Sequence, residues 1–85
     1  MNLINIGYGN IVNLDRMIAI VNPDSAPAKR MVRKAKDEGV SIDGTHGRKA
    51  KSVIIMENSQ VVLSALTPDT LLQRVKAGIA GESDA

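Results

Sequence analysis

Apolar positions along the chain come in short blocks with two different periods. Leu3-Ile4-Asn5-Ile6 reads as a first strand, closed by Gly7-Tyr8-Gly9-Asn10, where two glycines accept positive φ without steric cost. Arg16 to Val21 reads as a second strand, stopped by Asn22-Pro23. Residues Ile11 to Asp15 either begin that strand or form a bulge in it. Asp24 and Ser25 are both N-cap candidates, with Pro27 in the first turn, where its missing N–H costs little. The helix that follows runs to about Glu38. Its apolar residues Ala28, Met31, Val32 and Ala35 recur at i, i+3, i+4 and i+7, and Gly39 supplies the stop.

Val40 to Ile42 adds a candidate short strand, and Asp43-Gly44-Thr45-His46-Gly47 reads as a turn or loop. Ser52 to Met56 and Gln60 to Leu66 are strands joined by Glu57-Asn58-Ser59, as in a hairpin. Thr67-Pro68 caps a last helix with Leu71, Leu72, Val75 and Ile79 on its apolar stripe. The expected fold is α+β: a small, mostly antiparallel sheet and two short helices, in the order β-β-α-(β)-β-β-α. One domain covers residues 1–78, with a flexible tail at 79–85.

The hairpin strands lack the apolar–polar alternation of a sheet with one wet face. Val53 and Ile55 point one way, Ile54 and Met56 the other, and Val61, Val62 and Leu63 repeat the pattern. Both faces require covering. We infer that a neighbouring subunit covers part of them; the alternative is that the two helices divide the sheet between them and one chain suffices.

Composition narrows the function classes. A domain of 85 residues buries only roughly 60–65% of the surface its unfolded chain exposes. It has no cysteine, hence no disulfide, and a single histidine, His46, so a protein zinc site is not expected. A core this small is commonly completed by oligomerisation. Tyr8 is the one aromatic residue, which argues against single-strand modules that stack bases on aromatic side chains. No apolar run reaches the ~18–20 residues needed to span a membrane, and the N-terminus lacks the layout of a secretory signal. A cytoplasmic location is the expectation, without cofactor, small-molecule ligand or membrane partner.

Charge changes the picture most. Of eleven basic residues, eight lie between Lys29 and Lys51: Lys29, Arg30, Arg33, Lys34, Lys36, Arg48, Lys49 and Lys51. They face three acids there, Asp37, Glu38 and Asp43, and the rest of the chain is net acidic. A chain that is only +2 overall but locally this basic suits a polyanionic partner. On the helix, the charges are equally well read as a solvated face. Arg48-Lys49-Ala50-Lys51 differs, because it enters a strand from a glycine-bounded loop, a base from which side chains reach consecutive phosphates. Arg16, at a strand start, has no local partner beyond Asp15. No catalytic constellation accompanies these residues. Ser25, His46 and an aspartate lack a nucleophile motif around Ser25, and Gly7-Tyr8-Gly9 is a turn rather than a phosphate-binding fingerprint.

At Ile4-Asn5-Ile6-Gly7-Tyr8-Gly9-Asn10, Arg16-Met17-Ile18, the run Asn22 to Arg30, Gly47-Arg48-Lys49, Val53 to Met56, Leu63-Ser64-Ala65 and Thr67-Pro68, the chain resembles the RemA family of small bacterial DNA-binding regulators of extracellular-matrix genes. The likeness covers roughly Leu3 to Val75. It implies a ring-shaped homo-oligomer that binds duplex DNA and acts partly as an architectural protein; that the chain is not an enzyme is expected from the missing catalytic constellation. The family's DNA-binding arginines fall on Arg16, Arg48 and Lys49. Lysine at the third position departs from the family's arginine pair: it keeps the charge but loses the bidentate fork. Lys51 joins them by its position beside the pair. The competing reading is an oligomeric protein-interaction or scaffold module with no DNA role; RNA binding and catalysis rank behind both.

Overall fold

A computed structural model describes residues 2–84. Six strands, two α-helices and one 3₁₀ turn form in the order β1 (Leu3–Asn5), β2 (Ile11–Asn13), the 3₁₀ turn (Leu14–Arg16), β3 (Met17–Val21), α1 (Ala26–Asp37), β4 (Ser41–Gly44), β5 (Ser52–Met56), β6 (Val61–Ser64) and α2 (Pro68–Asp84). The architecture is α+β and mostly antiparallel, but it has two sheets where the sequence suggested one. Ile11 to Asp15 neither begin the second strand nor bulge from it. Ile11–Asn13 turn back antiparallel onto Leu3–Asn5 as a separate two-stranded ribbon. The Asn13 side chain then caps the 3₁₀ turn by accepting the Asp15 N–H at 3.0 Å, which breaks the extended run before Met17.

The second sheet has the strand order β3-β5-β6-β4. Its β3–β5 and β5–β6 pairs are antiparallel, while β4 runs parallel to β6 along one edge. The candidate strand at Val40–Ile42 therefore exists as Ser41–Gly44. The caps formed as the residue types dictate. The Ser25 hydroxyl accepts the Ala28 N–H at 3.2 Å. Gly39, at φ 72°, closes a Schellman motif in which its own N–H reaches the Lys36 carbonyl and the Val40 N–H reaches that of Ala35. Thr67 caps α2 by accepting the Thr70 N–H at 3.2 Å, with Pro68 as the first helical residue. Helix α2 runs through 79–84; the side chains from residue 78 onward, and Ala85 altogether, lie outside the described residues, and so does the expected flexibility of 79–85.

The two apolar faces of the hairpin are covered within one chain. Ile54, Met56 and Val62 pack with Ile4, Ile6 and Val12 of the ribbon segment and Leu71 of α2. Val53, Val61 and Leu63 pack on the other face with Ala35 of α1. The helices thus divide the sheet, and the two-faced pattern by itself calls for no second subunit. What stays uncovered is elsewhere: Ile11 at 61% and Ile18 at 65% exposure, together with Leu3 and Leu72. Among the described residues, no helix is long and apolar enough to cross a membrane.

Candidate nucleic-acid interface

Two tight turns build the basic end of the molecule. In Gly7-Tyr8-Gly9-Asn10 the Asn10 N–H returns to the Gly7 carbonyl at 3.0 Å, with φ 54° at Tyr8 and 78° at Gly9. In Thr45-His46-Gly47-Arg48 the Arg48 N–H returns to the Thr45 carbonyl at 3.0 Å, with φ 54° at His46 and 80° at Gly47. Positive φ at both central positions is the type I′ signature. Asp43 braces the second turn by accepting from the Thr45 hydroxyl at 2.6 Å and from the Thr45 N–H at 2.9 Å. The hydroxyl bond, then the amide bond and the field of Lys36, hold the Asp43 carboxyl below its usual value, so it stays charged.

The turns are tied to each other and to the sheet. The Asn10 side-chain amide donates to the carbonyls of Gly7 at 3.0 Å and Gly44 at 3.2 Å. Ser64, fully buried at the end of β6, donates to the Ile6 carbonyl at 2.8 Å and accepts the Leu66 N–H at 3.1 Å. Ser52, equally buried, donates to the Leu66 carbonyl at 2.6 Å. These bonds fix Gly7 and Leu66 beside the start of β5, where residues 48–51 arrive.

An open groove of about 650 Å³ results, lined by Arg48, Lys49, Lys51 and Arg74 around Gly7, Tyr8 and Leu66. Among the described residues its lining has four cations and no carboxylate. Arg48 lies over the Tyr8 ring at 5.9 Å, and Tyr8 stacks on His46. Three of the four residues selected from the sequence therefore meet here. The fourth, Arg16, does not: it pairs with Glu57 at the opposite end of β5, roughly 13 Å away at about 3.3 Å per residue. Its guanidinium is well exposed, and Glu57 raises its pKa further, first by the hydrogen bond and then by charge.

Arg74 was not legible as a site residue. As a lone arginine on the polar side of the last helix it carries no motif. Only the packing of α2 beside β1 brings it to the groove, where its Nη1 donates to the Asn5 carbonyl at 3.0 Å.

Comparison with known proteins places the chain. Residues 3–75 match the RemA-like family model, described as extracellular matrix regulatory protein A-like. A Bacillus subtilis protein named extracellular matrix regulatory protein A is 48% identical over 75 residues, covering 88% of this chain and 84% of that protein. A Lachnoclostridium phytofermentans relative, provisionally named a regulatory protein, is 51% identical over 82 residues, 96% of this chain and 90% of its own length. One from Pseudothermotoga lettingae with the same provisional name is 54% identical over 74 residues, covering 87% and 81%. The chain belongs to the RemA-like family.

Proposed function

We propose that this RemA-like chain is a non-catalytic regulatory protein that binds duplex DNA, and that it does so as a homo-oligomer, ring-shaped as in the family it resembles. The observation that carries the reading is the groove of Arg48, Lys49, Lys51 and Arg74, four cations with no acid among the described lining residues. Such a surface attracts phosphates irrespective of sequence. The regulatory names of its relatives agree with it. Lys49 contributes charge without the paired donors of an arginine, so selectivity falls more on DNA shape and bendability than on base edges.

Oligomerisation solves two problems. A single groove holds few phosphates, whereas repeated grooves make later contacts intramolecular and multiply affinity by ~10²–10⁴ where geometry permits. It also gives Arg16 a role. Within one chain Arg16 is at the far end of β5 from the groove; a head-to-tail repeat running along β5 would bring the Arg16 end of one protomer to the groove end of the next.

The test is binding of the purified protein to a labelled duplex of about 100 base pairs, long enough to bend or bridge, across a salt series. A log–log salt slope beyond about −5 is expected, since each neutralised phosphate contributes about −0.9. Arg48→Ala should abolish binding and leave the oligomer intact. No retention of duplex even at low salt sinks the reading. Competition by matched single-stranded RNA as strong as by duplex would move the assignment to RNA.

A further inference from the structure

Helix α1 divides four of its five basic residues between two flanks, with Arg30 opposite the buried side. At about 100° per residue, Lys29, Arg33 and Lys36 fall on one side of the buried line through Ala28, Val32 and Ala35. Lys34 falls on the other, beside Met31 and Glu38. The first flank overhangs a second groove, of about 370 Å³. Pro23, Val32 and Ala50 wall it, all half-buried, with Leu63 beneath. No carboxylate lines it among the described residues. Among the described residues the one ion pair is Arg16–Glu57, so Lys29, Arg33 and Lys36 have no salt-bridge partner. Asp43 senses the charge of Lys36, but from beyond ion-pair distance.

This groove is distinct from the one at Arg48. Alternate residues of the 49–51 segment serve different grooves: Lys49 and Lys51 line the first, Ala50 the second. Their chemistry differs too. The first gathers four cations about the Tyr8 turn, with Ala65 and Leu66 among them; the second is more apolar, with aliphatic walls under a rim of three cations.

We infer that the α1 groove docks a segment of a partner protein in which acidic residues flank an aliphatic side chain. The three cations meet the carboxylates, and the aliphatic side chain enters between Val32 and Ala50. Charge complementarity alone fits DNA equally well. The walls decide between them, because phosphates of a duplex would meet only the cationic rim and leave the surface of Pro23, Val32, Ala50 and Leu63 unused. A peptide side chain uses both. The protein would then hold DNA by one surface and a protein by the other.

The test uses the full-length protein and three labelled probes: a short peptide repeating Glu-Glu-Leu, its Glu-Glu-Ser counterpart of equal charge, and a DNA duplex. The Leu peptide should bind about tenfold or more tighter than the Ser peptide. Lys29→Glu/Arg33→Glu/Lys36→Glu, all exposed positions, should abolish Leu-peptide binding and retain the duplex, with folding checked by circular dichroism. Arg48→Ala should do the reverse. Equal affinity for the two peptides, or no binding of either, overturns the proposal. So does Leu-peptide binding that survives the triple substitution, or a triple variant that loses duplex and peptide together, which would make α1 part of the DNA surface. Failure of the wild-type protein to bind duplex bears on the DNA reading alone.

Discussion

Tyr8 and His46 face each other with ring centroids 5.1 Å apart and planes 13° from parallel, each at the first central position of its turn with φ 54°. Positive φ is unfavourable for bulky side chains, and it persists where surrounding contacts over-determine it. Here the following glycines, Gly9 and Gly47, complete the turns, and the Asn10 amide ties the first turn to Gly44. The geometry brings two separate loops together under Arg48, whose guanidinium lies over Tyr8. The pair thus aims a cation at the groove.

Tyr8→Ala should therefore weaken duplex binding by about two- to fivefold, the equivalent of an exposed cation–π contact of ~0.5–1 kcal/mol. Thermal stability should change little, because Tyr8 is half exposed and lies outside both core clusters. Anisotropy titrations of the variant beside wild type measure the first, a melting curve the second. A large drop in melting temperature with unchanged affinity would assign the stack to folding instead.

Glu57→Gln tests whether Arg16 belongs to the interface. Glu57 is the partner that currently engages the Arg16 guanidinium. Removing its charge frees Arg16 for a phosphate, so the salt slope should steepen by about 0.9 per chain engaged and affinity should rise. Arg16→Ala should act in the opposite direction. If both variants bind as wild type does, Arg16 serves the Glu57 pair and nothing more.

Gly44→Ala should destabilise the fold by about 1–3 kcal/mol, read as a lower urea midpoint at unchanged slope. A Cβ at this position would lie 2.9 Å from the Leu63 carbonyl oxygen and 3.3 Å from the Asn10 amide nitrogen. The backbone of β6 cannot yield as a flexible side chain would. The amide contact is also the one that joins the two turns, so duplex affinity should fall in the same variant.

Local signals were legible where chemistry acts over a few residues. Ser25, Gly39 and Thr67 cap as their residue types require, and β5 and β6 lie where the β-branched runs do. The ribbon was not legible. The turn at Gly7–Asn10 was, but Ile11–Asn13 are short and no glycine or proline separates them from Met17; the bond from the Asp15 N–H to the Asn13 side chain ends the strand. Likewise Arg48, Lys49 and Lys51 declare themselves by density and a glycine-bounded loop, whereas Arg74 reaches the groove through tertiary packing that no spacing encodes. The two-faced hairpin is buried on both sides as its unbroken apolar runs require, but what covers it is set by tertiary packing: α1 on one face and α2 with the ribbon on the other.

That cover shifts the argument for self-association from β5 and β6 to the surface. Ile18 stands out from β3, an edge strand with a register shift between Met17 and Ala19, and Ile11 stands out from the outer side of the ribbon. An edge strand bearing an exposed isoleucine is a ready pairing surface unless another chain covers it. Ile18→Asp and Ile11→Asp should each lower the assembly mass measured by light scattering, while the far-ultraviolet dichroism stays that of a folded chain, since neither residue belongs to a core cluster. Duplex binding should fall with the mass and its salt slope should flatten, because fewer grooves then act together. An assembly indifferent to both substitutions would put the contact elsewhere. A wild-type protein that is monomeric at working concentration would leave the groove to bind alone, at an affinity one patch can supply.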